Sequence, residues 1–114
     1  MNLDKGLIGG STNLLLLSLL EENDMYGYEI IKTLEMKSDY IFQFKEGTLY
    51  PVLHKLENKG YVKSYISKGS TGKERKYYKI TNNGKKQLSK EKENWEKFSL
   101  SVNKVIGGDI HAFT

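Results

Sequence analysis

The sequence predicts a mainly α-helical chain with one small β-hairpin, an α+β fold. Three observations carry that expectation. Apolar residues recur at helical spacing in separate segments of the first sixty residues. Two alternating aromatic and β-branched stretches then flank a glycine-containing loop. A long run of apolar residues at three-four spacing follows. At 114 residues the chain fits one domain, because two halves would each be too small to hold a core. Its 38% hydrophobic and 28% charged content suits a globular protein rather than a disordered one.

The first helix is expected from Thr12 to Glu22. Leucines at 14, 15, 16, 17, 19 and 20 make it apolar nearly all round. Such a helix is buried on more than one side, which in so small a protein points to cover by a second chain. The run Leu14 to Leu20 is far too short for a membrane span, and Glu21 and Glu22 follow it instead of a small-residue cleavage site. The second helix is expected from Tyr26 to Lys37, with Ile30, Ile31 and Leu34 inward. Gly27 near its start suggests close approach to another element. Tyr40 to Phe44 reads as a short strand or an extended segment.

A third helix is expected to begin at Gly47 or Thr48, with the Thr48 hydroxyl as its cap and Pro51 in the first turn. Leu49, Val52, Leu53 and Leu56 give it a core face, and Gly60 is a natural stop. The opposite face carries Tyr50, His54, Lys55, Glu57 and Asn58. Tyr61 to Ser67 and Arg75 to Ile80 read as hairpin strands around the charged loop Lys68 to Glu74. The last helix is expected from Asn83 to Ile106, with a seam of Leu88, Trp95, Phe98, Val102 and Val105 and stops at Gly107 and Gly108. It spans only about three heptads, too few to stand alone. The leucine-rich first helix is its obvious partner.

Charge is uneven along the chain. Residues 1 to 44 sum to −4, residues 45 to 92 to +9, and the remainder to −1. A basic middle is either a solvated lysine surface or a site for a polyanion. The element order favours the second. A short helix, a helix with a polar outer face, and a hairpin with a basic loop follow the winged helix-turn-helix plan. In that plan the aliphatic side of the third helix anchors it. Its outer side, with Tyr50, His54 and Lys55, meets base edges or phosphates in the major groove. Thr48 and the first-turn amides can bind a phosphate. The wing offers Lys68, Ser70, Thr71, Lys73 and Arg75 to the DNA backbone or minor groove.

Some residues keep two readings. Tyr26 and Tyr28 either bond phosphate or cap the edge of the core. Tyr50 either lies at the DNA surface or packs against the wing. Tyr77 and Tyr78 point to opposite strand faces, one into the core and one, with Arg75, toward DNA. No metal site or cofactor is expected, since His54 and His111 are isolated and the chain has no cysteine. No residue set supports catalysis. The lack of cysteine also fits a reducing compartment, so a cytoplasmic location is expected.

Three segments resemble the PadR family of transcriptional regulators: MYGYEIIKTLE (Met25 to Glu35), KEGTLYPVLHKLENKGYV (Lys45 to Val62) and RKYYKITNNGKKQL (Arg75 to Leu88). STNLLLLSLL (Ser11 to Leu20) and NWEKFSLSVNKVIGG (Asn94 to Gly108) resemble its short branch with a single dimerisation helix. The resemblance implies a homodimeric DNA-binding repressor. Residues 1–81 would form the winged helix-turn-helix unit, 82–108 the dimerisation helix packed with the first helix as one structural unit, and 109–114 a tail. Leu14, Leu17, Trp95, Phe98, Val102 and Val105 would form the dimer interface. The double-stranded operator would be an inverted repeat.

Some members of that branch bind planar aromatic drugs, often cationic, at the dimer interface, stacking them on a tryptophan. Trp95 matches it, with Leu15, Leu88 and Phe98 shaping an apolar slot, unless Trp95 only fills the interface. Where one such pocket has an acidic residue, this chain has Ser99. Two rivals stand beside the regulator: a winged-helix module that binds an acidic protein, and a small-molecule sensor whose DNA role is secondary.

Overall fold

The computed structural model describes residues 10–107. In chain order it comprises α1 (Thr12–Glu22), β1 (Met25–Tyr26), α2 (Gly27–Lys37), α3 (Glu46–Asn58), β2 (Val62–Ser67), β3 (Arg75–Ile80) and α4 (Asn82–Ile106). The expected tail at 109–114, His111 and the glycines at 9 and 108 lie outside the described residues.

The leucines of α1 explain its central place. Leu16, Leu17, Leu19 and Leu20 are all buried, against α2, the sheet and the first part of α4. Ile30, Ile31 and Leu34 of α2, Leu49, Leu53 and Leu56 of α3, and Val62, Tyr78 and Ile80 of the sheet complete one core. Each fully buried aliphatic side chain contributes roughly 1.5–3 kcal/mol over its exposed state. Leu17 is 0% exposed and Leu88 is 1% exposed within the protomer itself. This corrects their expected places: a residue closed inside its own chain can neither face a partner nor line an open slot.

The sheet has three antiparallel strands in the order β1-β3-β2. The hairpin pairs Tyr65 with Tyr77 and Val62 with Ile80. The additional strand β1 pairs Met25 with Tyr78 and Tyr26 with Tyr77. Tyr26 therefore precedes α2 rather than belonging to it, and its N–H donates to Glu29 Oε1 at 3.2 Å. Two residues are too short a run for alternation to reveal.

Tyr40 to Phe44 enters no strand. Asp39 and Tyr40 both take positive φ (52° and 65°), which breaks an extended path, while Phe44 is buried in the core.

The third helix starts earlier than expected. Lys45 is extended and caps α3, and its carbonyl accepts from Leu49 N–H at 2.9 Å. Thr48 is thus the third helical residue and not the cap. Pro51 is the sixth, so it lies beyond the first turn and supplies no N–H to the carbonyl of Gly47. At the other end Gly60 (φ 79°) closes a Schellman motif. Gly60 N–H donates to Glu57 O and Tyr61 N–H to Leu56 O, both at 3.0 Å.

Thr81 joins the end of α3 to the start of α4. Its hydroxyl donates to Gly60 O at 2.6 Å and accepts from Gly84 N–H at 3.0 Å. From there α4 runs for 25 residues, about 37 Å, and stops at Gly107 in the left-handed region.

Candidate nucleic-acid interface

The outward face of α3 follows from its period. With Leu49, Leu53 and Leu56 buried, Gly47, Pro51, His54 and Asn58 form an exposed stripe at i, i+4, i+7 and i+11. Thr48 and Lys55 are exposed beside it. Gly47 and Pro51, unlike Asn58, were not singled out from sequence as members of this face. The helix start decided their placement, and the same spacing run backward from His54 would have found both.

Tyr50 has a contact that neither of its expected places included. Its ring is half-buried and lies against Gly27 at the start of α2, so close that a Cβ there would collide with the phenol. Tyr50 therefore sets the spacing between α2 and α3, and Gly27 provides the close approach that its position suggested.

The wing is built on two glycines with positive φ, Gly69 (61°) and Gly72 (78°). Lys68, Ser70, Thr71 and Lys73 are exposed on it. Arg75 is half-buried, with its guanidinium carbon 4.4 Å from the centre of the Tyr26 ring. A contact of this kind contributes about 0.5–1 kcal/mol and holds the arginine at the base of the wing.

Tyr26 in turn meets the edge of Tyr77 at 5.5 Å, and Tyr77 stacks on Tyr65 at 5.7 Å. The Tyr65 hydroxyl donates to Asp24 Oδ2 at 2.6 Å. That bond, then partial burial and the nearby carboxylate charge, push the Tyr65 pKa up to about 12. Tyr78 points the other way, into the core. Tyr28 is exposed, with the Lys32 ammonium 5.5 Å from its ring centre.

Charge pairing separates this surface from an ordinary solvated one. Among the described residues the ion pairs are Lys32–Glu35, Lys37–Glu22, Lys92–Glu21 and Lys97–Glu93. None uses a basic residue between Lys45 and Lys90, so Lys55 of α3 and Lys68, Lys73 and Arg75 of the wing have no ion-pair partner among the described residues. No group of three or more metal-ligating side chains occurs among the described residues, and none of their helices is long and apolar enough to cross a membrane.

A second surface lies along α4. Trp95 is 51% exposed, Phe98 61% and Val105 86%, and Val102 and Ile106 are exposed on the same side. The Trp95 and Phe98 rings are 6.0 Å apart. Phe98, Val102, Val105 and Ile106 line one shallow apolar groove. Leu14 and Leu15 are half-buried on α1, as is Ser99 on α4.

Comparison with known proteins agrees with this geometry. Residues 16–90 match the model of the transcriptional regulator PadR-like family. The chain is 40% identical over 102 residues to an uncharacterised protein of Lysinibacillus sphaericus, covering 90% of this chain and 94% of that one. It is 29% identical over 73 residues to the negative transcriptional regulator PadR of Bacillus subtilis, covering 64% of this chain and 40% of that protein. A transcriptional regulator from Clostridium thermocellum superposes with a TM-score of 0.81 at 39% identity, over 90% of this chain and 96% of that one.

Proposed function

The chain belongs to the PadR-like family of DNA-binding transcriptional regulators, and from that premise we propose that it is a homodimeric repressor of an inverted-repeat operator. In this reading α3 enters the major groove with His54, Lys55 and Thr48, and the wing's lysines hold the adjacent backbone. Tyr26 acts indirectly, by positioning Arg75. The observation that carries the reading is that Lys55 of α3 and Lys68, Lys73 and Arg75 of the wing carry positive charge with no ion-pair partner among the described residues. The B. subtilis relative is a negative regulator, which supports repression. Two half-sites about one helical turn apart, roughly 34 Å, would be read by the two protomers. Residues 1–81 form the reading unit, and the helix after Thr81 joins the two copies.

The test uses a duplex selected by the protein itself from a random-sequence pool. Binding is followed by fluorescence anisotropy across a salt series. Replacing Lys68 and Lys73 with alanine is expected to weaken binding and lower the salt slope by about 2, since each phosphate contact contributes about 0.9. An unchanged slope would remove the wing from the interface and favour an acidic protein partner.

Trp95 supports a second feature, release by a planar aromatic effector. A large exposed indole beside an exposed phenyl ring offers a stacking surface, completed when a second α4 closes over it. Trp95 is the only tryptophan, so its emission reports the site directly. Saturable quenching by a planar aromatic compound is expected, weakened in Phe98→Ala and accompanied by loss of DNA affinity. Merely linear, collisional quenching across a panel of such compounds would leave Trp95 as interface filler. Release further requires the compound to favour one dimer geometry over the other.

A further inference from the structure

Gly47 is the second residue of α3, is exposed, and has no neighbour within 4 Å of the place where a Cβ would stand. Its φ is not positive: the glycines in the left-handed region are Gly60, Gly69, Gly72 and Gly107. Neither backbone conformation nor internal space therefore requires glycine there. The other two helical glycines do have such a reason. Gly27 admits the Tyr50 ring, and Gly84 lies against the carbonyl of Tyr61. Among the described residues Gly47 is the one helical glycine whose presence the fold itself does not explain.

Its presence has a cost, because glycine is less favourable than alanine in a helix, by about 1 kcal/mol in the interior and by part of that in the first turn, where Gly47 lies. One turn along the same stripe stands Pro51, the residue least suited to a helix interior. Two helix-weakening residues four apart, both facing outward, leave α3 with a low relief that its core packing does not demand. Local rules broken without internal compensation mark functional surfaces. The exposed side chains around this flat patch are Lys45, Glu46, Thr48, His54, Lys55 and Asn58, and neither lysine is in an ion pair, with Glu46 or any other acid, among the described residues. A polyanion fits that setting.

We propose that Gly47 is the point of closest approach between the α3 backbone and duplex DNA, a position where the missing side chain determines how deeply the helix seats. This rests on the reading of α3 as the DNA-facing helix. A methyl group at a van der Waals contact must either lift the helix or shift it along the groove. Either movement lengthens the bonds that His54 and Lys55 would make. Basic residues at the rim still meet phosphates, so shape is lost before charge.

The experiment compares wild type, Gly47→Ala and Gly47→Leu on the duplex selected by the wild type and on mixed-sequence duplex. Thermal unfolding is measured in parallel. Gly47→Ala is expected to melt higher than wild type yet bind the selected duplex at least tenfold more weakly. Gly47→Leu should be weaker again. Affinity for mixed-sequence duplex and the salt slope should change little. Equal affinity of the three proteins for the selected duplex would overturn the proposal while leaving the DNA reading intact. A lower melting temperature for Gly47→Ala would overturn it too, by showing that the fold needs the glycine. If the wild type binds no duplex at all, both the proposal and the reading beneath it fail.

Discussion

In the homodimer proposed above, Val102→Glu is expected to convert dimer to monomer and, with that, to abolish tight binding to an inverted-repeat operator. Val102 lies between Phe98 and Val105 on the uncovered apolar side of α4. It makes no part of the protomer's buried core, and glutamate is a good helix former, so each chain should fold normally. In a closed seam the carboxylate would be desolvated without a cationic partner, once for each protomer. Breaking or failing to pair a buried charge costs about 3–5 kcal/mol. The dimer dissociation constant should therefore rise by roughly a thousandfold or more. Sedimentation or light scattering across a concentration series reads this directly. DNA affinity should fall in step, because a monomer engages a single half-site and loses the gain from linking two. A Val102→Glu protein that stays dimeric at low micromolar concentration would place the dimer contact elsewhere.

Gly84→Ala should be the most destabilising single methyl group in the chain. Gly84 is the third residue of α4 and its N–H is capped by Thr81. A Cβ there would run into the backbone carbonyl of Tyr61 and lie 2.7 Å from Ile80 Cγ1. The same carbonyl accepts from Thr81 N–H at 3.0 Å. Backbone, unlike the end of a long side chain, cannot simply swing away. Alanine would gain about 1 kcal/mol in helix propensity. The clash must outweigh this, since overpacking typically costs 1–3 kcal/mol and the Thr81 bonds, each worth about 1 kcal/mol, are strained with it. A net loss of about 3 kcal/mol, or roughly 10–20 °C in melting temperature, is expected. Thermal unfolding followed by circular dichroism checks it, and an unchanged melting temperature would mean that the α3–α4 junction relaxes freely. The contrast with Gly47→Ala, where the same change should stabilise, separates a glycine that packing requires from one that it does not.

Much of the architecture was legible because burial imposes a period. A nearly continuous leucine run placed α1, and apolar residues at three-four spacing placed α2 and α3, to within a residue or two of their ends. Gly60 and Gly107 marked the stops of α3 and α4. The hairpin was legible from alternation around a loop rich in glycine and lysine. What failed was what depends on a neighbour distant in sequence. The strand β1 exists because Tyr26 pairs with Tyr77, fifty-one positions later. Arg75, read from sequence as a wing cation, is held on the Tyr26 ring by that same pairing. The cap of α3 moved to Lys45 because an extended backbone there lets its carbonyl start the ladder, which no side-chain preference signals.

The sequence by itself determined the family, the order of the four helices and the hairpin, and which segment is basic, since all three are written in local pattern and composition. The tertiary structure decided which leucines are spent inside the protomer and which apolar residues stay uncovered on α4. It decided that Tyr50 turns inward against Gly27, and that Gly47 and Pro51 face outward with His54. Those outcomes hang on how one helix is rotated against another, and periodicity fixes a face without saying what that face meets.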